Sequence, residues 1–383
     1  MKRCGWLLVA LCLVLGLLPL RAQAVELDLE GKSALLMDAA TGTVLYEKNA
    51  HEPLAPASVT KVMTMLLIME AIDSGKISWD DQVTASETAA AKGGSQIYLK
   101  VGETMSVSDM VKSIAVSSAN DCACAMAEHL EGSEEAFVER MNGRAQELGM
   151  EDTHFVNCTG LDDGPDAASH VTSAWDIALM SRQLLNNHPD IRKFTTIWMD
   201  TVRNGSFGLA NTNKLIRFYS GATGLKTGFT TSAGYCLSAS AQRDGMELIA
   251  VVMGSKTSQD RFGACKSLLD YGFANFALVT PEVQTTLVPV KLGASDLVIA
   301  EPARMPQFLI DKGQKASVTT TVEYQKEVDA PVSRGQRLGT LTIKAGEQIL
   351  EQIPLIAQTP VPKLTFRQMY LRLLKNLTMA APT

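Results

Sequence analysis

The chain predicts an α+β fold: an antiparallel sheet covered by helices, then a small all-β domain and a C-terminal amphipathic helix. Three observations lead there. Hairpin patterns stand near both ends of residues 25–280, with a helical middle between them. Past about Leu278 the texture turns to short alternating runs rich in Val, Thr, Ile and Leu. Residues 363–383 then set apolar side chains at helical spacing among basic residues, with no acid.

The first element is a leader. Met1-Lys2-Arg3, an apolar run from Cys4 to Leu20 and the small-x-small ending Ala22-Gln23-Ala24 predict that residues 1–24 are a secretory signal peptide. Leu11 ahead of Cys12 argues against a lipid-attachment site, because a small residue is expected there. Loss of Lys2, Arg3 and Arg21 with the leader takes the basic residues from 35 to 32 against 41 acidic ones, a net charge of −9. That balance argues against nucleic acid as a partner. Five cysteines remain, Cys122, Cys124, Cys158, Cys236 and Cys265, an odd number that gives no disulfide framework.

Ala34–Met37, the turn Asp38–Gly42 and Val44–Tyr46 read as the first hairpin. Pro53 and Pro56 break the chain just before Ser58, and Val59–Ile72 follows without Gly or Pro, with Gly75 as its stop. This helix is hydrophobic nearly all round, so it should be buried. Residues 84–190 read as mostly helical, with Val107–Val116, Asp121–Leu130, Glu134–Leu148 and Ser173–Leu185 as candidates. Lys226 begins a strand. Gly234–Arg243 and Met246–Met253 form a hairpin across Asp244-Gly245, and Arg261–Phe276 closes the domain as a helix. Residues 284–358 form the all-β domain, with runs such as Ser317–Tyr324 and Leu338–Ile343. In residues 363–383, Phe366, Met369, Tyr370, Leu373 and Leu377 alternate with Lys363, Arg367, Arg372 and Lys375. A basic amphipathic terminus on an exported protein is expected to lie on a membrane surface. It would hold the protein at the outer face of the cytoplasmic membrane. A helix docked on its own β domain is the plainer alternative.

Three short motifs carry chemistry. Ser58-Val59-Thr60-Lys61 sets a hydroxyl and an amine one helical turn apart at the head of the buried helix. A serine becomes a nucleophile when a base takes its proton, and a lysine can be that base once burial lowers its pKa. Ser118-Ala119-Asn120 falls between two helices, where either polar residue alone would pass for an N-cap. Lys226-Thr227-Gly228 lies on a strand, where Gly228 lets another chain approach the backbone closely.

In this order and these contexts, the three motifs resemble the signature of the penicillin-recognising serine acyltransferases. The likeness extends to Gly93-Gly94-Ser95, Asn211-Thr212-Asn213, Asp152–Asp162 and His170–Asp176. Within that superfamily the chain looks like the low-molecular-mass D-alanyl-D-alanine carboxypeptidases, β-lactamase-like in fold, which also carry a leader, a small β domain and a terminal anchor. The resemblance implies an acyl-enzyme on Ser58 that releases the terminal D-alanine of peptidoglycan stem peptides, with β-lactam antibiotics as covalent inhibitors. Lys61 would accept the proton of Ser58. Ser118 would relay one to the departing amine. Asn120 would hold the peptide carbonyl and bond Lys61, while Lys226 would depress the Lys61 pKa and draw in the terminal carboxylate. Backbone N–H groups of Ser58 and Phe229 match the family's oxyanion hole. Thr227, Gly228 and Thr230 complete the substrate wall.

Two positions depart from some relatives: Thr212 stands where they carry Arg, and Phe229 where they carry His. A β-lactamase of class A would add a deacylating Glu, and residues 155–215 contain none. An endopeptidase of cross-links and a non-catalytic wall-binding protein are the other readings. No cofactor is expected. The histidines form no His-Glu-x-x-His, Cys122-Ala123-Cys124 is too short for a zinc knuckle, and no Gly-x-Ser-x-Gly elbow occurs.

Overall fold

The computed structural model describes residues 27–283 and 285–379, so the expected leader lies outside the described residues. The sheet of the first domain has five strands. They are β1 (Ser33–Asp38), β2 (Val44–Lys48), β3 (Ala222–Thr230), β4 (Gly234–Arg243) and β5 (Met246–Ser255), in the spatial order β2-β1-β5-β4-β3 and antiparallel throughout. Its two halves come from opposite ends of the domain, as the paired hairpin patterns require. The β4–β5 turn takes positive φ at both Asp244 (+49°) and Gly245 (+80°), the backbone that an Asp-Gly hairpin favours.

The sheet is covered on both faces, and the period of two in its strands shows how. In β5, Ile249, Val251 and Met253 enter one core while Leu248, Ala250 and Val252 enter the other. Leu35 and Met37 of β1 join the first core, and Ala34 and Leu36 join the second. The larger core holds α1 (Lys61–Asp73), α2 (Val107–Ser117), α3 (Asn120–Glu131) and α4 (Ala174–Asn187). The other face is covered by α5 (Ser258–Asn275), which packs closely: a Cβ on Gly272 would meet Leu248 Cδ1 at 2.4 Å. Helix α1 buries Val62, Met63, Met65, Leu66, Leu67, Ile68 and Met69, so its apolar composition follows from having no solvent face.

The four helices expected within residues 84–190 all form, and the stretch 149–172 between the last two is irregular apart from a short turn at Ala167–Ser169. Side-chain hydrogen bonds order this segment instead, as when Asn142 brackets Phe155 through both its N–H and its carbonyl. Lys226 does not begin a strand but sits within β3, because Ala222–Leu225 is already extended and paired with β4.

Beyond the first domain, a six-stranded sheet runs in the order Val318–Tyr324, Arg337–Ala345, Gln348–Ala357, Leu297–Pro302, Thr286–Lys291, Val328–Asp329, with its own apolar core. The terminal helix α6 (Phe366–Met379) follows. Its exposed face carries Phe366, Tyr370 and Leu373, while Arg372 pairs with Asp296 of the β domain. No helix among the described residues is long and apolar enough to cross a membrane.

Candidate active site

A short 3-10 turn, Ala57–Thr60, leads directly into α1 and carries Ser58 at its bend. Lys61, one turn on, is completely buried. Its Nζ lies 2.9 Å from Ser58 Oγ and 2.7 Å from the carbonyl of Thr159. Burial pulls the Lys61 pKa from 10.5 to about 7, against the opposing pull of Cys158 and Asp121. The amine therefore changes charge near neutrality, as a base for a serine must. This result rests on burial and not on Lys226, contrary to the expectation from the motifs.

The Thr159 carbonyl is held in place from several sides. Asn157 Oδ1 accepts from the backbone N–H groups of Thr159 (3.1 Å) and Gly160 (2.6 Å). The half-buried Glu134 carboxylate, paired with Lys92, accepts from Cys158 N–H at 3.2 Å. Gly160 has φ +81°, and a Cβ there would fall 1.8 Å from the Ala57 carbonyl oxygen, so this loop is in backbone contact with the Ser58 turn. His170 ties the same turn down. Its Nδ1 accepts from Val156 N–H (3.1 Å), which leaves Nε2–H to donate to Thr60 Oγ1 (2.8 Å), whose own hydroxyl donates to Ala57 O (2.9 Å). That pattern requires a neutral ring, and burial lowers the His170 pKa to about 4.

Ser118 ends α2 in the left-handed conformation, φ +65°, and is 3 % exposed. Two residues later Asn120 opens α3. Its N–H donates to Ser95 O and its Nδ2 to Gly93 O, both at 2.7 Å. Asn120 thus bonds the Gly93-Gly94-Ser95 loop and not Lys61, and its buried Oδ1 meets no donor among the described residues. Asp121 secures the same loop, accepting from the N–H groups of Ile97 (3.1 Å) and Leu99 (3.0 Å).

Strand β3 supplies the opposite wall. A Cβ on Gly228 would meet Pro56 O at 2.6 Å and Ser58 N at 3.1 Å, so glycine lets the strand backbone lie against the Ser58 turn. Lys226 is buried with Nζ donating to Thr227 O at 2.8 Å. Burial, then the charges of Lys61 and Arg261, push its pKa well below the ordinary lysine value. The repulsion between the two lysines thus weighs on Lys226. Phe229 is 52 % exposed, its ring centroid 4.2 Å from that of Tyr235, and forms an outer lip. Thr230 is engaged in the β3–β4 turn, where its hydroxyl oxygen accepts from Ala233 N–H. Arg261 of α5, missed in the sequence, donates to Gly228 O (2.8 Å) and Cys236 O (3.3 Å) from beneath the sheet. The role of Thr159 was not read from the sequence, since a backbone carbonyl has no side-chain signature; the signals at hand were its place in Asp152–Asp162 and Asn157 three residues before Gly160.

A half-buried serine against a buried lysine, faced by a lysine-bearing strand, has the chemistry of a hydrolase site. Residues 20–257 match the family described as D-alanyl-D-alanine carboxypeptidase, and residues 274–363 match penicillin-binding protein 5, C-terminal domain. The chain is 43% identical over 348 residues to the D-alanyl-D-alanine carboxypeptidase DacF of Bacillus subtilis, covering 89% of this chain and 88% of the relative. It is 35% identical to the carboxypeptidase DacC of Escherichia coli, over 88% and 86% of the two chains. Penicillin-binding protein 5 from Haemophilus influenzae superposes with a TM-score of 0.73 at 30% identity, covering 88% of this chain and 99% of that one. The ampicillin-bound penicillin-binding protein D2 from Listeria monocytogenes gives 0.59 at 34% identity, covering 65% and 99%. The chain belongs to the D-alanyl-D-alanine carboxypeptidase family.

Two outcomes are expected. Gly160→Ala should unfold at a clearly lower temperature than Gly75→Ala. Both glycines have positive φ, which costs an alanine about 1–2 kcal/mol, but Gly75 has nothing within 4 Å of a Cβ. Equal melting temperatures would show that the loop contact is slack. The second outcome concerns pH. Between pH 7 and 10.5 the unfolded chain holds a proton on Lys61 that the folded chain sheds, so stability rises with pH across that window and levels off below 7. Lys226 acts with the same sign. In Lys61→Met, denaturant titrations should show a shallower rise; an unchanged slope would mean that Lys61 is not desolvated.

Proposed function

We propose that the chain cleaves the terminal D-alanine from peptidoglycan stem pentapeptides through an acyl-enzyme on Ser58. The observation that carries this is the 2.9 Å contact between Ser58 Oγ and a fully buried lysine with a pKa of about 7. Neutral Lys61 takes the Ser58 proton as Oγ attacks the carbonyl of the penultimate D-alanine. The resulting oxyanion is received by the backbone N–H groups of Ser58 and Phe229. Collapse of the tetrahedral intermediate breaks the C–N bond, and Ser118 passes a proton from Lys61 to the departing amine. Water then hydrolyses the ester, with Lys61 again as base. Lys226 and the threonines of β3 receive the terminal carboxylate, and Asn120 receives the peptide amide. A cavity of about 290 Å³ lined in part by Gly93, Asn157, Thr159 and Leu161 lies along the loop that bonds Lys61 and offers the upstream peptide room.

On this reading β-lactams acylate Ser58 and leave slowly, since residues 155–215 supply no glutamate to activate water. The leader sends the protein across the cytoplasmic membrane. The exposed Phe366, Tyr370 and Leu373, with Lys363 and Arg367 nearby, hold it on the outer surface for cell-wall synthesis and remodelling.

Mature protein should form a covalent adduct with labelled penicillin at Ser58 and release free D-alanine from a pentapeptide ending in D-Ala-D-Ala. Ser58→Ala, with native circular dichroism, should do neither. Labelling that persists in this variant sinks the proposal. Release from cross-linked dimers but not from pentapeptide makes the protein an endopeptidase. Truncation after Pro362 should move the protein from membranes to the soluble fraction. Unchanged partition would leave α6 as a helix that serves its own β domain.

A further inference from the structure

Two loops each lend one carbonyl to a polar side chain of the site. Gly93 O accepts from Asn120 Nδ2, and Thr159 O accepts from Lys61 Nζ, both at 2.7 Å. The residue just before each carbonyl leads to the same ion pair. Lys92, next to Gly93, pairs through Nζ with Glu134 Oε2. The other oxygen of that carboxylate accepts from the N–H and from the thiol of Cys158, next to Thr159, both at 3.2 Å. Glu134 opens the helix Glu134–Glu147 behind Ser133, whose Oγ accepts from Ala136 N–H at 3.1 Å, so the carboxylate projects from a capped helix end.

The two loops otherwise face a common void. The cavity of about 290 Å³ takes Ala91, Lys92 and Gly93 from one and Asn157, Thr159 and Leu161 from the other. They also meet at Gly94, where a Cβ would lie 3.2 Å from Leu161 Cδ2, but an apolar contact has no preferred direction. Direction comes from the charged pair. Burial opposes charge on both partners, yet their mutual bond holds Lys92 above the ordinary lysine value and Glu134 below the ordinary carboxylate value. We propose that Lys92 and Glu134 are positioning residues that work as one strut, holding the carbonyls of Gly93 and Thr159, and through them Asn120 and Lys61, in a fixed relation. The strut ties the site's amide donor to its base, and it rests on the acyl-enzyme reading of the site.

Its two ends can be read separately. Acylation of Ser58 by a labelled penicillin is resolved into a maximal rate, which depends on Lys61, and a half-saturating concentration, which depends on Asn120. Wild type would be compared with Lys92→Met, Glu134→Gln, their double variant and Lys92→Arg, each checked for native circular dichroism. Either single change should lower the maximal rate about tenfold or more, since a small misplacement of a catalytic group has that effect. It should also raise the half-saturating concentration severalfold. The double variant should match the single ones within about twofold, because one interaction is lost only once. Lys92→Arg, which keeps the cation, should stay near wild type. If Lys92→Met moves only the concentration and Glu134→Gln only the rate, each residue serves its own loop and the strut is overturned. Losses that multiply in the double variant, a Lys92→Arg as impaired as Lys92→Met, or variants that behave as wild type overturn it too. Wild-type protein that takes no label removes the acyl-enzyme reading, and the inference with it. Should Glu134→Gln fold poorly, Glu134→Asp, which keeps the charge but draws it back from Lys92, is read for the same two quantities.

Discussion

Withdrawal of the Lys61 amine from water is the constraint on which the rest of the site depends. A buried ammonium without partners is very costly, so the protein either neutralises it or surrounds it with acceptors. Here both happen: the pKa falls to about 7, and Nζ keeps two partners, Ser58 Oγ and Thr159 O. The second partner explains much of the surrounding structure. A carbonyl in an irregular loop holds its place only if the loop is fastened, and Asn157, Glu134 and the contact between Gly160 and Ala57 fasten it. His170 completes the clamp through Thr60. The Ser58 turn and the loop that accepts from Lys61 are therefore tied together as one unit at the head of α1.

Two further buried cations, Lys226 and Arg261, stand near Lys61, and their partners are carbonyl oxygens of β3 and β4 rather than carboxylates. Carbonyl dipoles satisfy the donors but cancel no charge. The acids that approach the site, Asp121 and Glu134, accept from loop backbone, and Glu134 is already paired with Lys92. A chain whose formal net charge is −6 thus keeps a cleft in which positive groups lack counter-ions. Such a cleft favours an anionic ligand, and without one burial keeps both lysine pKa values below the ordinary lysine range.

Local signals decided what could be read in advance. Asp244-Gly245 demands its turn, and the apolar run Val62–Met69 has no face to give to water, so the hairpin and the buried helix were legible without tertiary information. Ser58, Lys61, Ser118, Asn120 and Lys226 stood out only together, through the resemblance of three motifs, each common by itself, to a known family. What could not be read was the direction of their bonds. Asn120 turns its amide to Gly93, and Lys61 turns to the carbonyl of Thr159, because loops closed by distant contacts put those acceptors within reach. The irregular stretch 149–172 is held by side chains whose partners no local pattern announces: Asn142 brackets Phe155, Thr153 meets Thr172, and His170 accepts from Val156 N–H.

The position of β3 explains why these parts meet where they do. It is the edge of the sheet, and an edge strand leaves a row of backbone groups unpaired. The first part of this edge is covered from within the domain, by Thr195 Oγ1 on Thr223 O and Asn213 Nδ2 on Gly224 O. Farther along, at Lys226–Thr230, the neighbour is the Ser58 turn, which approaches at Gly228. A side chain at position 228 would separate the two walls. With glycine there, the helical layer brings Ser58, Lys61, Ser118 and Asn120 to one side, and the sheet brings Lys226 and Thr227 to the other. Thr212, hydrogen-bonded to Val116 on one wall and Thr227 on the other, spans the gap between them. The cleft is therefore where a helical layer meets a sheet edge whose pairing capacity has been left partly open.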